Sequence, residues 1–396
     1  MEFSTGNTGD KIRQVRKRRG LSQKELAKAA GFSLSWIKKM EQGEPEPPVE
    51  TLRRVAIALR VPTTVLITRE ETDGADPQTA EDWTDVREAL YGHLPPPSAA
   101  PTSQGVLDIV NAARPALAAN RFSAVRAVLP GLIRDAAVLD GEGRAAQSRV
   151  LNLAGWLLVQ TRQWDAAETA VRMSADAAPD RLLRAAAMNT WCWLLLRQGR
   201  LQDARRLATA AAGAIEPKFS TATASELAAW GRLLLGVTNA AIRDNRPGEA
   251  ADALSLARAA AGRISREVCL DGSTARTFGP LSAMMIMAEN AAIERQPDRV
   301  LKIADAIPGM AAGLRAGMLH PGAASRRRHR LDVANAHVML RHYPDAMGIL
   351  RELHAEAPEW LAQQRYARRV MKDITERRRT LSREMIDLAD AVGLPL

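Results

Sequence analysis

The chain has 396 residues, 46% of them hydrophobic, more than one core holds, because single cores stop growing at about 250 to 300 residues. Aromatics are only 4% and the apolar residues do not alternate, which excludes an all-β fold or propeller. Cys192 and Cys269 alone cannot form a disulfide framework, and neither lies in a CxxC or Cys/His cluster that would read as a zinc site. The net charge is +10, and residues 10–60 supply +7 of it through 13 basic and 6 acidic side chains, a local excess suited to neutralising phosphates and releasing their counterions.

In chain order, residues 1–9 are expected to be disordered and residues 10–70 to form a small helical domain. A basic helix from Asp10 to Arg19 turns Ile12, Val15 and the stem of Arg16 inward and ends at Gly20. Ser22, with Glu25 three positions on, forms a capping box for a second helix, on which Leu26 and Ala29 give a small apolar face before Gly31. Ser33 caps a third helix through Gln42, with Ile37 and Met40 toward the core and Ser35, Trp36, Lys38 and Lys39 away from it. A fourth helix runs from Val49 to Leu59, and Val61, Pro62 and Thr63 start a short fifth.

The run Gly20, Leu21, Ser22, Gln23, Glu25, Leu26, Ala27, Gly31, Ser33, Ile37, Glu41 and Gly43 resembles the helix-turn-helix of the XRE, phage-repressor and Cro-like, family over residues 10–68. The resemblance implies a five-helix DNA-binding domain whose third helix enters the major groove, with the second helix pinned on a phosphate. Gln23 then stands where the family clamps phosphate, and Ser33, Leu34, Ser35, Trp36, Lys38 and Lys39 form the expected DNA-binding set. Leu34 and Trp36 carry no amide, so apolar contact with thymine methyls or stacking on sugar replaces bidentate adenine readout. Trp36 has a second reading as a partly buried packing residue, and Lys38 and Lys39 as a solvated face. Glu41 is expected to pair with a basic residue of the first helix, since a carboxylate beside phosphate repels it.

Residues 71–104 read as a linker. Thr79 to Tyr91 forms a short amphipathic helix on Trp83, Val86 and Leu90, which docks one domain on the other or builds a dimer contact, and Pro95 to Pro101 is a polyproline-like spacer. From residue 105 to 362 a turn recurs at six anchors, Phe122, Trp164, Leu201, Pro247, Pro297 and Tyr343. Three positions after them stand Val125, Ala167, Ala204, Ala250, Val300 and Ala346. Nine positions before stand Ala113, Gly155, Cys192, Thr238, Ala288 and Ala334. Small side chains at both places let antiparallel helices approach closely. The pattern resembles the tetratricopeptide repeat, which implies a right-handed superhelix with a concave groove lined by the first helix of each pair. Residues 363–396 read as a capping helix pair with a basic run from Arg377 to Arg379. The fold class expected is all-α, a helix-turn-helix domain followed by a tetratricopeptide-like α-solenoid.

In that register the groove carries Asn152, Asn189, Asn239, Asn290 and Asn335, whose amides can bind an extended peptide's backbone, and Gln160. Arg149, Arg197, Arg232, Arg243 and Arg328 recur beside them and suit a carboxylate. The alternative is that the amides satisfy neighbouring helices and the arginines face water. Trp156 and Trp193 read first as packing between repeats and second as stacking platforms for a ligand. The architecture resembles the peptide-pheromone-sensing regulators, which implies quorum sensing through a short peptide. No phosphate loop, HExxH or GxSxG stands in the chain, so no enzyme and no cofactor are expected. His320, His329, His337, His342 and His354 read as isolated, so no metal is expected. No cationic start with an apolar stretch, and no run of about 18 apolar residues, is present. A cytoplasmic homodimer on an inverted-repeat operator in double-stranded DNA, nucleoid-associated when bound, is therefore expected, its repeats sensing a peptide or small-molecule effector. The competing function is a scaffold whose repeats hold a partner protein that the helix-turn-helix delivers to DNA.

Overall fold

The computed structural model describes residues 7–44, 47–67, 83–119, 121–270, 276–312, 321–378 and 380–394. The fold is all-α, a helix-turn-helix domain followed by a tetratricopeptide-like solenoid, with one two-stranded hairpin among the described residues.

The first unit comprises α1 (Thr8–Arg18), α2 (Gln23–Ala30), α3 (Leu34–Glu41), α4 (Val49–Leu59) and a single 3-10 turn at Thr63–Val65 where a fifth helix was expected. Asn7 caps α1 by accepting from the Asp10 N–H at 2.9 Å, so ordered helix starts within the stretch 1–9 expected to be disordered; residues 1–6 lie outside the described residues. The Ser22 and Glu25 capping box forms in both directions, and Gly31 ends α2 at φ +68°, a conformation that costs glycine nothing in side-chain clash. Leu26, Ala27 and Ala30 form the buried face of α2 while Ala29 is exposed, a correction with a geometric cause. At 100° per residue, positions i, i+1 and i+4 share an arc that i+3 leaves. With Ile12, Val15, Ile37, Met40, Leu52, Val55, Leu59 and Leu66 they make one small core.

The larger unit starts with α5 (Thr84–Leu90), whose Trp83, Val86 and Leu90 are buried in the main solenoid core, so this helix docks on the repeats. The part of its expected span at 79–82 lies outside the described residues. Six pairs follow: α6 (Ser103–Ala119) with α7 (Phe122–Ala137), α8 (Arg144–Gln160) with α9 (Trp164–Ala177), and α10 (Arg181–Arg197) with α11 (Leu201–Ala214). Then come α12 (Ala224–Arg243) with α13 (Pro247–Ile264), α14 (Pro280–Ile293) with α15 (Pro297–Ala312), and α16 (Ala323–Met339) with α17 (Tyr343–Glu356). Each anchor is the first residue of the second helix in its pair. The residue before each anchor donates its N–H to the carbonyl five positions back, as Gln163 does to Leu158 at 2.8 Å and Gln296 to Ala291 at 2.9 Å. Two positions before five of the anchors, Arg162, Gly199, Asn245, Arg295 and Arg341 have φ between 56° and 74°. This is the left-handed closing turn that satisfies a helix's last carbonyls. All six small residues after the anchors are buried. At Gly155 an added Cβ would lie 2.4 Å from Val171 Cγ1, so α8 and α9 approach to a distance only glycine permits.

Between α13 and α14 stands a hairpin of β1 (Val268–Cys269) and β2 (Thr277–Phe278), absent from the sequence reading because two residues per strand give no alternation to detect. Its Phe278 ring is wholly buried on α12, against Gly231. The chain finishes with α18 (Pro358–Ala362), α19 (Arg365–Thr375) and α20 (Arg383–Ala391), the last two forming the expected terminal pair.

The superhelix does not stay open. α6 packs against α16, Ser123 at the head of α7 hydrogen-bonds Glu359 of α18, and one hydrophobic cluster runs through residues of α7, α8, α16, α17 and α19. The array is thus a ring around a central cavity rather than a trough.

Candidate functional site

Two sites arise from this framework, an exposed helix on the first unit and a cavity inside the ring. On α3, Ser33 caps the helix by accepting from the Trp36 N–H at 3.1 Å. Leu34, Ser35, Lys38 and Lys39 are exposed, and Trp36 is half-buried against the small core, in line with its reading as a packing residue. Glu41 at the end of α3 is buried and takes a two-pronged contact from Arg16 of α1, Nε to Oε1 at 2.5 Å and Nη2 to Oε2 at 2.9 Å. Arg16 also donates to the Leu21 carbonyl at 2.8 Å, tying the same guanidinium to the turn before α2. Gln23 donates from Nε2 to Glu41 Oε2 at 2.8 Å. A primary amide nitrogen carries two hydrogens, so this bond aims Gln23 without committing its second donor. Burial alone would raise the Glu41 pKa, but the hydrogen bonds of Arg16 and Gln23 and the charges of Arg16 and Arg13 hold it below its ordinary value.

The cavity, about 380 Å³, is lined from α6, α8, α9, α10, α12, α14, α16, α18, α19, the residue preceding β2, and the turns beside them. Of the expected effector residues it brings together Gln160, Arg197, Arg232, Asn239, Arg243 and Arg328. Asn152, Asn189, Asn290, Asn335 and Arg149 do not line it; the four asparagines are buried between helices, so no continuous amide ladder faces the cavity. Asn239 and Asn335 stand at the same place in their pairs, eight positions before the anchor, yet only Asn239 lines the cavity, so position within a pair does not decide which side chain faces inward.

Trp156 and Trp193 do line the cavity, stacked with ring centroids 6.4 Å apart at 28°, while Trp156 is also packed edge-on to Phe122. Further lining residues, none of them expected in the groove from the sequence, are Arg276, Glu289, His329, Asp332 and Tyr366. Glu289 accepts from Arg243 Nη2 at 2.5 Å and lies 3.5 Å from Arg328 Nη2. Burial pushes the Glu289 pKa up, but the charges of Arg243, Arg328 and Arg232 outweigh it and leave the carboxyl ionised. Burial raises Asp332 to about 7 and pulls His329 down to about 4. No sequence period marks these residues, because they meet only through curvature.

The two units touch through α4 and the 3-10 turn, leaving Leu34, Ser35, Lys38 and Lys39 of α3 to solvent. Arg53, buried, donates from Nε to the Ile242 carbonyl at 2.9 Å and from Nη1 to the Ile293 carbonyl at 2.7 Å, the C-terminal ends of α12 and α14. Thr63 Oγ1 donates to the Arg243 carbonyl at 2.9 Å, and the Thr64 N–H to Asp244 Oδ1 at 2.9 Å. Glu50 pairs with Arg369 of α19 at 3.2 Å, and Arg369 lies over the Tyr366 ring at 4.8 Å.

Away from the cavity, the expectation of isolated histidines fails at one place, where His337, His342 and Asp345 bring one potential ligand atom each within 4.8 Å of the others. The α16 to α17 turn folds His342 back onto His337. His320 lies outside the described residues. Among the described residues no helix is long and apolar enough to cross a membrane.

A family model described as Helix-turn-helix, HTH_3, matches residues 12–66. Two proteins described as HTH-type transcriptional regulator SinR, from Bacillus licheniformis and Bacillus subtilis strain 168, are each 31% identical over 84 residues, 21% of this chain and 76% of theirs. Among solved structures, Bacillus thuringiensis PlcR in complex with the peptide PapR7 and DNA is similar over 78% of this chain and 97% of its own, at 13% identity and a TM-score of 0.35. Apo ComR from S. Thermophilus is similar over 78% and 98%, at 11% identity and a TM-score of 0.27.

Proposed function

The chain belongs to the DNA-binding helix-turn-helix transcription regulators, and we propose that its repeat ring senses an effector and transmits occupancy to the DNA-binding unit. Residue Arg243 carries the reading. Its guanidinium stands in the cavity on Glu289 while its own carbonyl accepts from Thr63 of the other unit. A ligand that competes with Glu289 for Arg243 acts at the end of α12, where Arg53, Thr63 and Thr64 dock. Differential affinity of a few kcal/mol between two docking arrangements shifts their populations strongly.

On DNA, Lys38 and Lys39 approach base edges or phosphates, Ser33, Leu34, Ser35 and Trp36 meet the groove wall, and Gln23 fixes the backbone. A homodimer sets two such helices about one turn apart on an inverted repeat. Selection from randomised duplexes with the full chain tests this. Lys39→Ala weakens selected sites preferentially, whereas Gln23→Ala weakens all duplexes alike. Identical footprints for the native chain and both variants would contradict the assignment. For transmission, Thr63→Ala leaves DNA affinity in place and lowers the response to whatever ligand native mass spectrometry finds co-eluting. A full response in that variant sinks the proposed route.

A further inference from the structure

Resting on the reading of the cavity as the effector site, we infer that its ligand is a compact aromatic anion, a planar ring system bearing a carboxylate or sulfonate, rather than an extended peptide. Shape is the first argument. An extended heptapeptide spans about 23 Å, whereas the cavity's volume of about 380 Å³ lies in the lower part of the small-molecule range. Contact of α6 with α16, and of Ser123 with Glu359, removes the open ends through which a longer chain would run.

Charge is the second argument. Arg232, Arg243 and Arg328 line the space beside two carboxylates, Glu289 and Asp332, and further arginines with contacts of their own, among them Arg197 and Arg276, line it too. Glu289 is already divided between Arg243 and Arg328. Arg232 Nε is shielded from water and has no hydrogen-bond partner, and neither does the Asn239 carbonyl oxygen. A shielded guanidinium N–H without an acceptor costs free energy that an incoming anion recovers. The lifted pKa of Asp332 further weakens the resident negative charge near neutrality.

Aromatic rings complete the lining. Trp156 and Trp193 present stacked faces, with Arg276 at 5.6 Å and Arg197 at 5.9 Å from the Trp193 ring centre. A planar ring packed beside the indoles has Arg197 and Arg276 next to it to receive an attached acid group. Ring stacking and charge pairing are then satisfied by one small molecule.

A matched pair of probes tests the inference on the full chain: 1-anilinonaphthalene-8-sulfonate and the uncharged N-phenyl-1-naphthylamine. The sulfonate is expected to bind one per chain and at least tenfold tighter than the neutral probe. Arg232→Gln should erase that preference while leaving the neutral probe's affinity unchanged and the melting temperature no lower, and Trp193→Ala should weaken both probes. Arg276→Gln, on the hairpin, repeats the charge test should Arg232→Gln lose its fold. Equal affinities in the native chain, or a sulfonate affinity within twofold after both arginine substitutions, overturns the anion inference; the effector-site reading then still stands if Trp193→Ala releases the neutral probe. Probes that do not bind, or bind without regard to Trp193, overturn both. A mixture of heptapeptides with free C-termini that displaces the sulfonate at lower concentration than naphthalene-1-sulfonate does overturns the compact-ligand inference alone.

Discussion

Replacing Glu41 by alanine measures what holds the recognition helix in place. The Glu41 side chain is 1% exposed and that of Arg16 9%, so the substitution strands a guanidinium away from water. Breaking such a pair from one side costs about 3 to 5 kcal/mol. A folded unit of about sixty residues, at roughly 0.05 to 0.15 kcal/mol per residue, has about 3 to 9 kcal/mol to lose. The substitution therefore removes a large part of the stability of the first unit while the ring keeps its own. Native-state hydrogen exchange with mass spectrometry on the full chain separates the two. Amides of α3 are expected to exchange at least about a hundredfold faster, since 1.36 kcal/mol is tenfold, with no change in α8 and α9. Arg16→Met combined with Glu41→Met should recover most of the loss, because it removes both charges together. The sign with pH follows from the depressed Glu41 pKa. The pair's contribution is present above the unfolded value of about 4.3 and is lost as pH falls through the lower folded value. Protection of α3 unchanged within threefold in Glu41→Ala would refute this reasoning.

Other outcomes follow from the same structure. Arg53→Met loses two charged hydrogen bonds to helix-end carbonyls, about 3 kcal/mol or more at roughly 1.5 to 3 each before the desolvation it relieves, and should enlarge the radius of gyration in solution scattering without unfolding either unit; an unchanged radius contradicts it. Asp332 has its folded pKa raised to about 7 by burial, so its contribution is present below about pH 4 and lost as pH rises through 7. Asp332→Asn should melt like the native chain near pH 4 and higher at pH 8.5, and a gap independent of pH would count against the assignment. Burial pushes the Cys192 thiol up to about 12, whereas Cys269 is partly exposed. Iodoacetamide at pH 8 should label one thiol, Cys269, in the native chain and two after denaturation; prompt labelling of Cys192 would show that α10 opens.

Much of the architecture was legible because the repeat signal is local. The anchors Phe122 to Tyr343 mark helix starts, and small residues such as Gly155 and Ala167 mark close helix approach, since both depend on a turn whose ends are adjacent in sequence. The pairing of Glu41 with the first helix was legible for a similar reason, a carboxylate on a basic domain needing a partner. The cavity was only half legible. Gln160, Arg197, Arg232, Asn239, Arg243 and Arg328 reach it, but the remaining asparagines do not, and Glu289, Asp332 and Tyr366 were missed. Which face of a repeat looks inward depends on a small rotation summed over six pairs, and no single pair contains it. Arg162, Arg295 and Arg341 in left-handed turns are a further example. Glycine or asparagine announces such a position; arginine does not.

Contact between the first and last pairs also fixes how many units this protein can contain. An open stack tolerates the gain or loss of a terminal unit, since each contacts only its neighbours. Here an added pair would force α6 and α16 apart, and a deleted one would leave Ser123 and Glu359 unable to meet. The number of pairs sets the circumference, so a different number would need a different angle at every joint. Melting should likewise proceed as the breaking of an annulus, with no tip from which fraying begins.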